Sequence, residues 1–205
     1  MSHYLAFVLF AAAVAVAPGP DSFLTLRSTV LGGRTRGLWT ALGITIAGTI
    51  QGVLAATGLG AVITHAEPVF AAIRWAGVCY LVYLGVTAIL GAIRNRGAGW
   101  SAGSGPAVRP PTAFRQGFLC NITNPKVLAF NLAVLPQFVG AGAGLGVLLA
   151  YALTLTLCGI VVLLTIVAAA TAARRALADR TVRRGIEGAT GAVFLGFAAA
   201  LGAEG

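Results

Sequence analysis

An acid and a base lie at two proline-broken points of a strongly apolar chain. Asp21 ends the segment Ala17-Pro18-Gly19-Pro20-Asp21, and Lys126, the only lysine, ends the segment Asn121-Ile122-Thr123-Asn124-Pro125-Lys126. Proline removes a backbone hydrogen-bond donor, and glycine permits bends that other residues resist. A charge at the centre of a membrane helix costs roughly 2.5–3.5 kcal/mol on the insertion scale. Two such interruptions at corresponding places in the halves of a chain predict a polar binding site at membrane depth.

The first break predicts a helix start near Pro20. The carbonyl groups around Val14 and Val16 lose their helical partners there and could face a cavity. A helix start offers free N–H groups and a positive dipole end, which suit a carboxylate. Asp21 could bind a substrate or carry a coupling proton, or it could simply cap the helix start.

The second break places Lys126 near the middle of its predicted span, too deep for the side chain to reach water. Its ammonium group should therefore pair with an acid, with carbonyl groups or with an anionic substrate, and Asp21 is the natural partner. A purely structural pair that bridges two broken helices is the alternative. The predicted substrate-binding residues, to which Asn131 adds a further nearby amide, are Pro18, Gly19, Pro20, Asp21, Gln51, Asn121, Asn124, Pro125 and Lys126.

Composition determines the elements that must position these residues. The chain has 205 residues, of which 58% are hydrophobic and 9% charged, whereas soluble domains carry about 25% charged residues. It should therefore be an all-α membrane protein. At about 20 residues per span, the apolar segments predict six transmembrane helices over residues 3–26, 38–63, 68–92, 114–136, 145–171 and 185–203. No room remains for a nucleotide-binding domain.

The arginines predict the orientation. Twelve of them lie in or beside three connections, residues 27–37, 93–113 and 172–184. Positive residues stay on the cytoplasmic side, so both termini should face outward, away from the cytoplasm. The net charge of +9 would suggest nucleic acid in a soluble protein, but these arginines flank apolar spans. We expect lipid and a small-molecule substrate as partners, and no nucleic acid.

Each half has three spans, which is an odd number, so the two halves enter the membrane from opposite sides. The sequence thus predicts two inverted three-helix repeats, residues 1–93 and 114–205, joined by a cytoplasmic linker over residues 94–113, with helices 1 and 4 broken. Small residues at four-residue intervals could pack helices within one subunit or form a homodimer. They are Gly48, Gly52, Ala56 and Gly60 on span two, and Gly188, Ala192, Gly196 and Ala200 on span six.

Other chemistry has little support in the sequence. His3 and His65 have no metal-ligand spacing, and the three cysteines lie inside predicted spans without a CxxC pair. No catalytic triad, P-loop or dinucleotide fingerprint is present. We therefore expect no metal, no cofactor and no enzymatic activity.

Several motifs, in this order, resemble the LysE/RhtB family of bacterial amino-acid exporters. They are Ala17 to Asp21, Gly32 to Gly37 with Gly43, Gly77 to Gly85, Gln116 to Leu119 continuing to Lys126, and Leu135-Pro136-Gln137-Phe138. Spans five and six match only in hydrophobic character. The resemblance implies a six-span inner-membrane exporter of amino acids driven by the proton motive force. The family's signature falls on the Pro18-Gly19-Pro20 break and on Lys126.

The leading hypothesis is a secondary transporter that exports a small zwitterion. Lys126 and the free helix-end N–H groups would hold the carboxylate, and Asp21 would hold the ammonium group. An ion or metal transporter of related architecture and a non-transporting membrane subunit are the alternatives. The sequence does not name the amino acid.

Overall fold

The structure is a computed structural model that describes residues 2–57, 67–94, 109–124, 126–127, 130–131, 138–139, 143–173 and 179–203. Its long helices are α1 (Ser2–Val16), α2 (Pro20–Ala56), α3 (Glu67–Arg94), α4 (Pro110–Ile122), α5 (Leu145–Ala172) and α6 (Arg180–Ala203). Within the described ranges, four helical segments are long and apolar enough to cross a membrane: Pro20–Ala56, Trp75–Ile93, Leu145–Ala172 and Thr181–Ala203. The protein is all-α in its described part, and the exact count of six spans stays a prediction.

The predicted first break is present. Helix α1 ends at Val16, and α2 begins at Pro20 after Gly19, which has an extended backbone with φ −152° and ψ −177°. Proline is well suited to the first helical position because its N–H would have no partner there and its φ is already helical. The Pro-Gly-Pro sequence thus ends one helix and starts the next within three residues.

The predicted loop over residues 27–37 is wrong, because this stretch is helical apart from one residue. Only Gly33 leaves the helix, with φ 78° and ψ 179°, a conformation that residues with a side chain rarely adopt. A side-chain carbon at Gly37 would collide with the Thr29 hydroxyl, so α2 folds back at Gly33 into a first arm (20–32) and a second arm (34–56). Arginine and leucine favour helix, which is why the connection shrinks to a single glycine.

The second arm of α2 lies closely against α4. Any Cβ at Gly43 would meet the Phe114 carbonyl, and any Cβ at Gly117 would meet the Thr40 carbonyl. Small residues allow such close approach of membrane helices. On another side of this arm, Ala41 and Ile44 form a buried cluster with Leu163 of α5.

One end of the bundle collects several helix ends and is called the arginine-bearing end below. Near the bend of α2, Arg27 Nη2 lies 3.9 Å from Glu187 Oε1 near the start of α6. The Glu187 carboxylate in turn occupies the space beside Gly91 near the end of α3. Ahead of α6, the Asp179 carboxylate accepts hydrogen bonds from the N–H groups of Thr181 and Val182. These bonds lower the pKa of Asp179.

The remaining helices agree in part with the predicted spans. Helices α3 and α5 closely match the predicted spans 68–92 and 145–171. Helix α4 begins at Pro110 rather than residue 114, because proline again suits the first helical turn. Span four is interrupted after Ile122 as predicted. Pro125 and most of the linker, residues 95–108, lie outside the described residues, so the two repeats and their boundaries stay predictions.

The two small-residue faces differ. Gly52 of α2 packs against Ala152 of α5, which confirms packing within one subunit for part of the first face; Gly60 lies outside the described residues. On α6, a Cβ at Gly188 or Gly196 would meet no atom within 4 Å. The homodimer stays a prediction.

Candidate functional site

The second break leaves one backbone carbonyl that a side chain from α2 satisfies. In a continuous helix, the Asn121 carbonyl would accept from the N–H of residue 125, but proline has none. Gln51 Nε2 donates to this carbonyl at 2.7 Å. The Asn124 N–H also donates to it at 2.8 Å and closes the last turn of α4. Gln51 thus compensates for the proline.

Lys126 satisfies carbonyl groups at the first break in the same way. Its Nζ donates to Val14 O at 3.1 Å and to Ala17 O at 2.9 Å. Val14 O would pair with the N–H of residue 18 in a continuous helix, and residue 18 is proline. The Val14 carbonyl thus lacks its helical partner, as predicted, but Lys126 occupies it, and Ala17 provides the second carbonyl. Gly19 permits this approach, because a Cβ there would lie 3.3 Å from the ammonium nitrogen.

Asp21 is held by amides and not by the lysine. Its Oδ2 accepts from Asn121 Nδ2 at 2.9 Å and from Asn124 Nδ2 at 2.7 Å. Of the partners predicted for Lys126, the carbonyl groups are confirmed, whereas Asp21 forms no ion pair with it within 4.0 Å. The capping interpretation is wrong, since no side chain caps α2. The two asparagines draw the carboxylate toward the second break, while the first break holds the ammonium group.

Asn124 joins both charged residues. It is fully buried, and while its amide nitrogen binds Asp21, its Oδ1 accepts the backbone N–H of Lys126 at 3.0 Å. The amide orientation follows from this network, because an N–H donor requires the oxygen on that side. The two broken segments are therefore cross-linked through Asn124.

A cavity of about 80 Å³ adjoins the two breaks. By the same measure, one water molecule needs roughly 10–15 Å³, so the cavity has room for a small solute. Its polar part includes Asp21, Ser22, Asn121 and Lys126. Its apolar wall is formed by side chains from several elements, among them Ile44, Phe130, Leu155, Ile160 and Leu163.

The polar part of the cavity has unused hydrogen-bonding capacity. Asp21 Oδ1 and Asn121 Oδ1 are buried and accept no hydrogen bond of normal geometry from the described residues. The neighbouring Cys120 thiol is only a weak donor. An ammonium group carries three donors, and Lys126 uses two of them on carbonyl groups. The residues that line the cavity therefore retain acceptor capacity for a cation and one donor for an anion.

A family model described as LysE type translocator matches residues 12–205. The chain belongs to the LysE type translocator family. This finding confirms the resemblance read from the ordered motifs, and it includes the whole of the site described above.

Relatives of this translocator include proteins with and without a stated substrate. The membrane protein YrhP of Bacillus subtilis is 28% identical over 203 residues, which cover 96% of this chain and 97% of the relative. The leucine efflux protein of Klebsiella pneumoniae is 26% identical over 141 residues, which cover 69% of this chain and 65% of the relative. No solved structure matches the chain.

The structure brings together five of the predicted site residues: Asp21, Gln51, Asn121, Asn124 and Lys126. Gly19 adjoins them through Lys126. Pro18 and Pro20 form the break, but neither lines the cavity, and Pro125 lies outside the described residues. Within the described residues, no group of three or more His, Cys, Asp or Glu side chains converges.

Sequence reasoning missed the contribution of α5. Cavity-lining positions at Leu155, Thr156, Gly159, Ile160 and Leu163 recur with the spacing of one helix face. Apart from Tyr151 and scattered threonines the helix is apolar on every side, so its sequence has little polar contrast to separate the cavity face from a lipid or packing face.

Proposed function

We propose that this LysE translocator is a secondary transporter that exports neutral amino acids and is coupled to the proton motive force. The observation that carries the proposal is the cavity between the two breaks, with Asp21 and Lys126 at its polar part and aliphatic side chains around the rest. A free neutral amino acid complements this cavity, because it carries a carboxylate and an ammonium group at one end and an apolar side chain at the other. The leucine efflux relatives support a test with leucine first.

The substrate carboxylate would bind the third N–H of Lys126 and the free N–H groups at the start of α2. A helix start favours an anion through its free donors and its dipole. The substrate ammonium group would donate to Asp21 Oδ1 and Asn121 Oδ1, two buried acceptors on cavity-lining residues that have no partner among the described residues. The substrate side chain would then extend toward Ile44 and Leu163.

Asp21 would also carry the coupling proton. An acid that accepts the substrate ammonium group when ionised loses this interaction when it is protonated. Protonation and substrate binding at Asp21 would therefore exclude each other, which is the requirement for exchange of one for the other. Asn121 and Asn124 would hold the carboxylate in place in both states.

We further propose that the chain forms two inverted three-helix repeats in a bacterial inner membrane, with the arginine-bearing end in the cytoplasm. The packing of α3 against α6 and of α2 against α5 supports this, since these helices hold matching places in the two halves. The arginines support the orientation.

The test is transport by purified protein in liposomes, with labelled leucine, alanine, lysine and glutamate. We expect counterflow of leucine and alanine but not of lysine or glutamate, and leucine accumulation when a pH gradient is imposed. Absence of exchange for every amino acid would refute the proposal and would favour a non-transporting subunit.

The variant Asp21→Asn tests the coupling. It keeps an oxygen acceptor for the substrate ammonium group but cannot be protonated. Counterflow should therefore persist with a weaker affinity for leucine, while the pH gradient no longer drives accumulation. Gradient-driven accumulation at the wild-type level by this variant would contradict the role of Asp21.

A further inference from the structure

The face of the first arm of α2 that contains Asp21 also contains buried hydroxyl groups. Thr25 and Ser28 follow Asp21 by four and seven residues, so the three side chains lie within about 60° of the helix circumference. The exposed fractions of Thr25 and Ser28 are 0% and 1%. Neither hydroxyl has a hydrogen-bond partner among the described residues.

Among the described hydroxyl groups, Thr190 Oγ1 is also buried without a partner, but most helical threonines have one. A threonine in a helix can bond to a carbonyl of the preceding turn. Thr29 does so to Thr25 O at 2.8 Å, and Thr40 does so to Arg36 O at 3.0 Å. A buried polar group left without a partner is costly, and more so at membrane depth. Thr25 and Ser28 therefore require a partner that no described residue provides.

The row of polar atoms runs from the cavity to the arginine-bearing end. It begins with Asp21 Oδ1 at the cavity, and Ser28 lies about 10 Å further along the helix. There the Nε atoms of Arg27 and Arg36 are likewise buried without a partner among the described residues. Glu187, which pairs with Arg27, balances one of these two positive charges.

We infer that this polar stripe, defined by Asp21, Thr25 and Ser28, binds a file of water molecules that conducts protons between Asp21 and the arginine-bearing end. Buried waters bind to polar groups that lack other partners and typically make about three hydrogen bonds each. Hydroxyl groups both donate and accept, so a proton can pass along such a file without a further ionisable side chain. The inference rests on the proposed function, because it provides the route for the coupling proton.

The variants Thr25→Val and Ser28→Ala remove the hydroxyl groups with little change in volume. We expect the rate of proton-driven leucine accumulation to fall by about tenfold or more. This is less than the roughly 10²–10⁴-fold that a positioned proton-transfer side chain contributes, because the hydroxyl groups only hold the water. Leucine counterflow, which needs no net proton movement, should stay at the wild-type rate. Thr29→Val is the matched control, since its hydroxyl bonds to its own helix. Wild-type accumulation by both test variants, or an equal loss in the control, would overturn the inference.

A second experiment detects the water directly and needs no transport. In a background without the native cysteines Cys79, Cys120 and Cys158, single cysteines replace Thr25, Ser28 or Thr29. Brief X-ray exposure converts water beside a thiol into hydroxyl radicals that oxidise it, and mass spectrometry measures the rate. Oxidation at positions 25 and 28 should exceed that at position 29, and equal rates would overturn the inference. If the wild type transports no amino acid, the proposed function fails, while this contrast still decides whether the stripe holds water.

Discussion

The link between the two breaks through Asn124 predicts a large effect of one substitution. Asn124→Leu keeps the approximate shape but removes a hydrogen bond to the Asp21 carboxylate and another from the Lys126 N–H, at 2.7 and 3.0 Å. A hydrogen bond to a charged group contributes about 1.5–3 kcal/mol, and a neutral one about 0.5–1.5 kcal/mol. The variant should therefore lose about 2–4.5 kcal/mol of stability. For a chain of this size, that corresponds to a decrease in Tm of roughly 5–15 °C.

Asn131→Leu is the matched control. Asn131 is also buried and follows the same break, but neither side-chain atom has a partner among the described residues. Replacing an unpartnered polar group by an apolar group of similar shape is neutral or stabilising. The Tm of this variant should be equal to that of the wild type or higher.

Both variants can be measured by thermal unfolding in detergent with a dye that becomes fluorescent on reaction with a thiol. Cys120 is buried, Cys79 is exposed and Cys158 is half-buried, so replacement of Cys79 and Cys158 by alanine leaves a single reporter of unfolding. The reasoning is refuted if Asn124→Leu melts at the wild-type temperature. It is equally refuted if Asn131→Leu loses as much stability as Asn124→Leu.

Three further predictions concern packing and charge. Gly159→Val should reduce leucine exchange relative to alanine exchange by about tenfold or more, because a side chain there enters the cavity, and one methylene group changes such selectivity by about 10–200-fold. Gly146→Val on the same helix, where a side chain also meets open space away from the cavity, should leave the ratio unchanged. Gly117→Ala should lower the Tm, because its Cβ would meet the Thr40 carbonyl, whereas Gly146→Ala should leave the Tm unchanged. Equal Tm values for the two variants would refute this contact. In a double-mutant cycle by thermal unfolding, Arg27→Gln and Glu187→Gln should show a coupling of about 0.5–3 kcal/mol, and strict additivity would show that the pair contributes nothing.

The sequence predicted the two breaks because their signals are local. Pro18, Pro20 and Pro125 remove donors whatever their surroundings, so the ends of α1 and α4 could be placed from the residues alone. The charge of Lys126 in an apolar segment likewise required partners at that depth. These features depend on covalent structure and on solvation, and both can be read from a sequence.

The partners of the charged residues could not be assigned in this way. Asp21 and Lys126 were expected to bind each other, yet each binds groups that the other break leaves free: side-chain amides for Asp21 and carbonyl groups for Lys126. Several arrangements satisfy the same buried charges, and the choice among them depends on how the broken helices pack against each other. The bend at Gly33 was missed for a similar reason, because a single residue with positive φ replaces a loop.

The central claim is that Lys126 binds the substrate carboxylate, and the uniqueness of this lysine permits a direct measurement. Reductive methylation modifies two amines of the protein, Lys126 and the terminal amine, and mass spectrometry measures each rate with and without leucine. Because the amine of leucine consumes the same reagent, the reagent is kept in excess, the exposure is short, and the Lys126 rate is divided by that of the terminal amine. At ten times the Kd, leucine should lower this ratio by about tenfold, as simple occupancy requires. Equal methylation of Lys126 at a leucine concentration that saturates transport would contradict the account.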